Sequence, residues 1–307
     1  GTASGPHTGD LPLSQMVDSN SMATDVFISV AAGNEGNARL HYKGAGEKSI
    51  VEFNVGMEEE ILVMELWGQA PDIYSISFET PDGVTVERIP PRFNGSERIQ
   101  FAIGSTVLQV SYTLVEAQSG NELIYIWMYK PLPGVWKLHV RGEGRVTQFF
   151  NIWMQLSQYV RPDTYFLEPM PDITLTSPGD NENATTVTEY DHRTNSISLG
   201  ASRGFTADDR IKPDLAAPGV NILGMGRRGY YERRSGTSIS AAHVAGAACL
   251  MQQWSKDNLA SPLTGIQIRR YLIGGAKRAD NISWPSKLWG WGQLDLLEVF
   301  DSLRRNV

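Results

Sequence analysis

Cysteine is nearly absent: Cys249 is the only one among 307 residues, which excludes an intrachain disulfide. Its place among small residues at helical spacing predicts a buried structural thiol. No apolar run is long enough to span a bilayer. No secretory leader is visible, and the sequence reads as beginning inside a longer chain. Positive charge is in deficit, with 27 Lys and Arg against 34 Asp and Glu, a formal charge of -7. That balance argues against nucleic acid or an anionic membrane as the main partner. Metal-ligand patterns are missing too. Asp72, Asp82, Asp180, Asp208 and Asp209 sit in predicted loops without the spacing of a dedicated calcium site. Calcium is left open with no specific ligands, and no other cofactor is expected. What remains is ordinary: 41% hydrophobic and 20% charged residues, a globular composition long enough for two domains.

One stretch organises the rest. Residues 235–254, SGTSISAAHVAGAACLMQQW, read as a Gly-Thr-Ser turn running into a helix. Ser240, Ala241, Ala242, Ala245, Gly246, Ala247 and Ala248 are small, so other backbones are expected to approach this helix from all sides. Ser238 lies at its mouth, where unpaired N–H groups and the helix dipole favour negative charge. A serine there suits a nucleophile whose oxyanion meets the helix terminus. The plainer account is a helix cap, a role open to Ser235, Thr237 and Ser238 alike.

The longer string SGTSISAAHVAG resembles the nucleophile motif of subtilisin-like serine proteases, with Ala242 in place of the usual proline. VAAGNEGN, residues 30–37, resembles the oxyanion-hole segment of that family. ASRGFTADDRIKPDLAAPGVNI, residues 201–222, resembles the stretch before its nucleophile, and Trp289-Gly290-Trp291-Gly292 its closing segment. The resemblance implies a serine endopeptidase acting on protein or peptide substrates. Ser238 would be the nucleophile and Asn34 the oxyanion donor. Ala31, Ala32 and Gly33 would wall the specificity pocket, with backbone able to pair with an extended peptide, and Gly236 and Thr237 would complete the substrate-binding set. His243 matches a helix histidine of the motif and not the catalytic base.

Pattern along the chain predicts two grammars. Residues 11–21 have weak helical character, and residues 26–32 form an apolar run that reads as a buried parallel strand. From 41 to 154 short alternating runs replace helical period: 49–55, 60–67, 72–79, 84–88, 98–103, 107–114, 123–129, 136–141 and 146–154. Turn signals separate them at 80–83, 94–95, 119–121 and 132–134. Such spacing argues for an antiparallel sandwich. Residues 134–138 resemble late strands of the jelly rolls found beside or within subtilases. Trp67, Trp127, Trp136 and Trp153 are expected in or near its core, with a sugar-stacking platform as the alternative. Strand-like runs follow at 173–176, 196–199 and 220–224, a proline-rich connector at 210–218, and helices at 264–273 and 294–303. The expectation is an α/β fold: the C-terminal part of a subtilisin-like parallel-sheet domain, interrupted by an antiparallel β jelly roll. The segments are 1–38 (oxyanion), 39–170 (jelly roll) and 171–307 (nucleophile). The layout is similar to that of clostridial subtilases, the spore-germination proteases among them, which implies a spore-associated or secreted bacterial protein.

The family's catalytic aspartate and histidine motifs do not occur. His7 lies in a predicted loop rather than at a helix start, and His41, His139 and His192 read as exposed or structural. The chain is therefore expected to lack the Asp/His half of the site and to be inactive alone. The missing N-terminal half would be a partner, and the edge of strand 26–32 a surface for self-association. Two other readings stand beside this one: a pseudoprotease scaffold, and a carbohydrate-binding role for the β domain.

Overall fold

The computed structural model describes residues 1–23, 26–91, 99–103, 105–144 and 149–305. Helix α1 (Pro12–Ser21) opens the chain, with proline in its first turn where the missing N–H costs nothing. Its buried residues are Ser14 and Ser21, while Leu13 and Met16 are exposed. Polar contacts dock it: the Ser14 hydroxyl donates to Asp180 Oδ1 at 2.7 Å, and Asp18 accepts the Glu182 and Asn183 N–H groups. Strand β1 (Ser29–Ala31) follows. It is shorter than the expected run over 26–32, and only half-buried. Among the described residues it pairs on one side alone, which explains both differences.

The chain then builds a β unit, residues Ala38–Pro171 together with Thr2–Pro6. Its strands are β2 (His41–Ala45), β3 (Lys48–Val55), β4 (Ile61–Gly68), β5 (Tyr74–Glu79), β6 (Thr85–Ile89), β7 (Ile99–Ile103), β8 (Thr106–Thr113), β9 (Glu122–Tyr129), β10 (Gly134–Gly142), β11 (Phe149–Met154) and β12 (Tyr165–Phe166). Nine answer to the alternating runs; β2 and β12 are additions. The turn signal Asn94-Gly95 falls outside the described residues. Two antiparallel sheets result, β12-β3-β10-β5-β6 and β2-β11-β4-β9-β8-β7. Alternation does the work. In β8 and β9 every second residue is buried, so Leu108, Val110, Ile124, Ile126 and Met128 are fully enclosed. They share one core with Phe53, Phe78, Trp136 and Leu138 of the other sheet.

Trp136 lies in that core, its indole N–H donating to Leu132 O at 2.8 Å. Trp67 and Trp153 are 6% and 3% exposed, so three of the four tryptophans offer sugars no open face. Trp127 is half-buried and stacked on Tyr129. The N-terminal residues Thr2–Pro6 join this unit rather than the segment expected for 1–38, through Gly5 N–H donating to Glu65 at 2.7 Å.

The second unit comprises Gly1, His7–Asn37 and Asp172–Val307. Its remaining elements are β13 (Thr185–Asp191), β14 (Ser196–Ile197), β15 (Leu215–Pro218), β16 (Ile222–Met225), β17 (Tyr231–Arg234), α2 (Thr237–Asn258), α3 (Gly265–Gly274) and α4 (Leu296–Arg305). Strand β13 is the hub, parallel to β1 on one side and to β15 on the other, with β14 antiparallel at its end. The strand expected at 173–176 is instead irregular, and the connector expected at 210–218 contains β15. The core gathers Val187, Leu215 and Ala217 of the sheet with Val244, Ala248 and Met251 of α2 and Ile268, Leu272, Val299 and Leu303 of α3 and α4. A capping box starts α3: Thr264 Oγ1 accepts the Gln267 N–H, and the Gln267 side chain accepts the Thr264 N–H.

Helix α2 is not buried on all sides. Thr237, Ser240, Ala241, Val244, Ala247, Ala248, Met251 and Ser255 form the buried face. Ser238, Ala242, His243, Gly246, Cys249 and Leu250 are exposed. Cys249 is thus an exposed thiol rather than a buried one. The small residues serve two faces, one packed on the sheet and one open.

Candidate active site

The site is assembled where β1 ends and α2 begins. Beyond β1 the chain turns through Gly33, whose φ of 109° suits glycine. A Cβ there would lie 2.7 Å from Ser202 Oγ and from the Thr176 side chain. The turn is pinned from three directions. Gly33 N–H donates to Thr237 Oγ1 at 3.1 Å, Ser202 N–H donates to Gly33 O at 2.9 Å, and Glu35 N–H donates to Ser202 Oγ at 3.0 Å.

Asn34 follows with an exposed side chain. Its Oδ1 accepts the backbone N–H of Thr237 at 3.1 Å and lies 3.3 Å from Thr237 Oγ1. A backbone N–H can only donate, so this bond fixes which end of the amide faces Thr237. Nδ2, a donor, is thereby turned to the other side. Thr237 and Asn34 are 203 positions apart in sequence, with Ala38–Pro171 of the β unit between them.

Ser238 is the second residue of α2, exposed, while its neighbours Gly236 and Thr237 are buried. Gly236 has φ 142°, and its N–H donates to Gly219 O at 3.0 Å, which ties the turn to the end of β15. The helix beneath is fastened by Ser240, whose hydroxyl donates to Ala217 O at 2.8 Å, and by Ser29, whose hydroxyl donates to Ala241 O at 2.9 Å. In the first turn of a helix the N–H groups have no intrahelical acceptor. The Ser238 N–H and the Asn34 amide are therefore two donors at one helix terminus, beside a hydroxyl.

Ala31 and Ala32 lead into the turn. Ala32 N–H donates to Val187 O and Ala32 O accepts the Thr176 N–H, both at 2.9 Å. Ala32 and Gly33 thus spend their main-chain groups within the unit. They offer a surface, and backbone pairing with a peptide is not open to them. In the parallel ladder the main-chain groups of Ser29 and Ala31 face the side away from β13.

Two charged groups buried in the same unit carried no signal in the sequence. Lys212 and Asp214 are 2% and 0% exposed, with Nζ 2.7 Å from Oδ2. Asp214 also takes Arg269 at 2.7 Å and the Thr186 N–H at 2.7 Å, locking β15 to β13 and α3. Burial pulls the Lys212 ammonium down to about 8 against the pull of Asp214. Burial alone would raise the Asp214 carboxyl, but Lys212 and Arg269 outweigh it and hold it low. Glu189 of β13 lies under Gly219 and is 4% exposed. Its carboxyl is raised by burial, with Ser198 and the Gly236 N–H pulling it back.

The histidines lie elsewhere. His7 is 2% exposed with Nδ1 2.8 Å from Leu175 O. His41 stacks on Trp153 at 4.7 Å and meets Asn151, inside the β unit. His139 stands 3.9 Å from Glu79, and His192 is exposed. His243 is five residues beyond Ser238, about 140° around the helix, with Nδ1 3.1 Å from Ile239 O. The loop aspartates are engaged locally: Asp180 accepts from Ser14 and Ser177, Asp208 meets Thr206 and Arg210, and Thr80 donates to Asp82.

A profile of the subtilase family matches residues 65–292, three quarters of the chain, ending on Gly292 of the closing Trp-Gly-Trp-Gly segment. The chain belongs to the subtilase family. This subtilase is similar in structure to the CspB protease of Clostridium perfringens, with a TM-score of 0.89 and 27% identity over 99% of this chain and 65% of that one. It is 31% identical over 137 residues to the membrane-bound transcription factor site-1 protease of Mus musculus, covering 42% of this chain and 12% of that protein. It is 40% identical over 93 residues to the C5a peptidase of Streptococcus pyogenes, covering 30% of this chain and 8% of the relative. The subtilase thus spans about two thirds of the CspB chain and about a tenth of those two proteases. Its family and relatives support a serine-type peptidase function. No helix among the described residues is long and apolar enough to cross a membrane.

Proposed function

We propose that this subtilase carries the nucleophile and oxyanion half of a serine endopeptidase site. Ser238 is the nucleophile. Asn34 Nδ2 and the Ser238 N–H are the donors for the tetrahedral intermediate, with Ala31, Ala32, Gly33, Gly236 and Thr237 forming the floor and wall against which a peptide lies. The observation that supports this is the 3.1 Å bond from Thr237 N–H to Asn34 Oδ1, which orients the amide at the first turn of the helix that carries Ser238. Acyl transfer also needs a base, and none of the five histidines stands in that role. The base and its orienting carboxylate are then supplied by residues outside these 307, and the chain alone hydrolyses peptides weakly or not at all.

Within that reading the β unit is a jelly roll inserted between the oxyanion and nucleophile segments. The steps β3 to β4 to β5, and β9 to β10 to β11 to β12, change sheet each time, which supports it. A non-catalytic scaffold would need neither the exposed Ser238 nor the oriented Asn34.

A fluorophosphonate probe tests the assignment. In the protease extended by the upstream residues of its gene, we expect labelling at Ser238 together with amidase activity, both lost in Ser238→Ala. An extended protein inert to both probe and unfolded protein would establish the scaffold instead.

A further inference from the structure

Strands β16 and β17 form a two-stranded hairpin whose residues make no other strand pairing among the described residues. Such hairpins rarely persist for packing reasons alone. This one is held at its base, where Asn221 N–H donates to Ser235 Oγ at 2.8 Å and Gly236 N–H to Gly219 O at 3.0 Å. Its far end is open. Leu223, Met225, Tyr230 and Tyr231 are 55%, 76%, 76% and 70% exposed.

The pairing register puts Met225 opposite Tyr231 and Leu223 opposite Arg233. One face is therefore apolar and basic together. Between 222 and 234 the sequence has four arginines against one carboxylate, Glu232, in a chain whose formal charge is -7. Glu232 is taken by Arg234 at 2.6 Å. Arg233 gives an N–H to Asn221 O, a neutral acceptor, at 2.9 Å, so its charge has no carboxylate there. Arg227 is exposed at the tip.

We infer that this hairpin is a docking arm for an extended, acidic segment of the protein substrate. The inference rests on the peptidase reading, because its base leads directly into Gly236, Thr237 and Ser238. Arg233 is five residues from Ser238, so chain length alone keeps it within about 18 Å of that residue. An extended peptide advances about 3.3 Å per residue, which places the acidic residues within about five positions of the scissile bond. The free edge of the hairpin pairs with the peptide main chain, the arginines select carboxylates, and Met225 and Tyr231 cover an apolar side chain between them.

The test uses two fluorescein-labelled twelve-residue peptides with the 307-residue chain, one with alternating Glu and its counterpart with Gln at the same positions. Anisotropy should show the Glu peptide binding at least tenfold more tightly, with the difference abolished in 0.5 M salt. The double variant R227Q/R233Q should lose the preference while keeping its circular dichroism and melting temperature, since both side chains are exposed. Equal binding of the two peptides overturns the inference, as does a preference that survives R227Q/R233Q. A chain dimer that displaces the peptide also overturns it, by giving the hairpin to a second copy. Fluorophosphonate labelling of Ser238 in the extended protease, with no charge preference in peptide binding, leaves the peptidase reading standing and removes the arm. Charge-selective binding by the 307-residue chain, with no fluorophosphonate labelling of the extended protease, removes the peptidase reading and keeps the hairpin as a site for acidic peptides.

Discussion

At the scale of single residues, the decisive contact is between Asn34 and the N–H of Thr237. It costs the Asn34 amide its acceptor and leaves its donor free, which is the orientation that an oxyanion requires. In the extended, active protease we predict that Asn34→Ala lowers kcat by about a hundred- to a thousand-fold, the magnitude known for a subtilisin oxyanion asparagine. KM should change little, because the donor is used only as charge develops. Steady-state kinetics on a peptide amide would check it, and a matching rise in KM would place Asn34 in ground-state binding. Glu122 gives a second prediction, in stability. It is 1% exposed, accepts the Tyr74 N–H at 2.8 Å, and its Oε1 has no partner. Burial, assisted by Glu143, raises its carboxyl from the ordinary 4.5 to about 8 despite the Tyr74 bond. The folded chain then keeps a proton that the unfolded chain releases, so stability falls as pH rises from about 4.5 to about 8, by up to about 1.4 kcal/mol per pH unit. Glu122→Gln removes that slope. Urea midpoints should match wild type near pH 4 and exceed it at pH 8.

Among the elements, α2 and β1 have unfinished surfaces. Helix α2 leaves Ala242, Gly246, Cys249 and Leu250 exposed, and β1 pairs only with β13 among the described residues. Neither proline nor lysine blunts residues 26–32, where natural edges are commonly protected. We predict that the 307-residue chain covers this edge by self-association, most simply across a two-fold axis. Light scattering after size exclusion should give a dimer at micromolar concentration. A monodisperse monomer would show that the strand tolerates solvent. Strand β13 shows why the sheet was only partly legible. Its sequence TTVTEYD has no apolar alternation, yet six of its seven residues are buried. Threonine is β-branched and fits a pleat, but its burial depends on β1 and β15, which lie far away in sequence.

For the molecule as a whole, the division into two units has a direct consequence. The β unit has its own core of facing side chains from two sheets, with Phe53, Phe78, Trp136, Leu108 and Ile126 all at most 1% exposed. A fragment of residues 38–171 should therefore fold alone and melt cooperatively when followed by circular dichroism. A broad, non-cooperative loss of signal would show that the unit depends on the rest of the chain.

The sequence by itself determined the family motifs, the positions of Ser238 and Asn34 within them, and most strands of the β unit. These are local signals: a turn entering a helix, or burial at every second residue, is written in adjacent residues. It also indicated two structural grammars, because period two gives way to other patterns near 41 and 154. The tertiary structure decided the rest. It made the polar β13 the centre of a sheet, buried Lys212 and Asp214 as a pair, and turned Cys249 outward on a helix of small residues. It also joined Asn34 to Thr237 across 203 positions. Each of these depends on which distant surface arrives beside a residue, and a residue's own neighbours in sequence do not encode that.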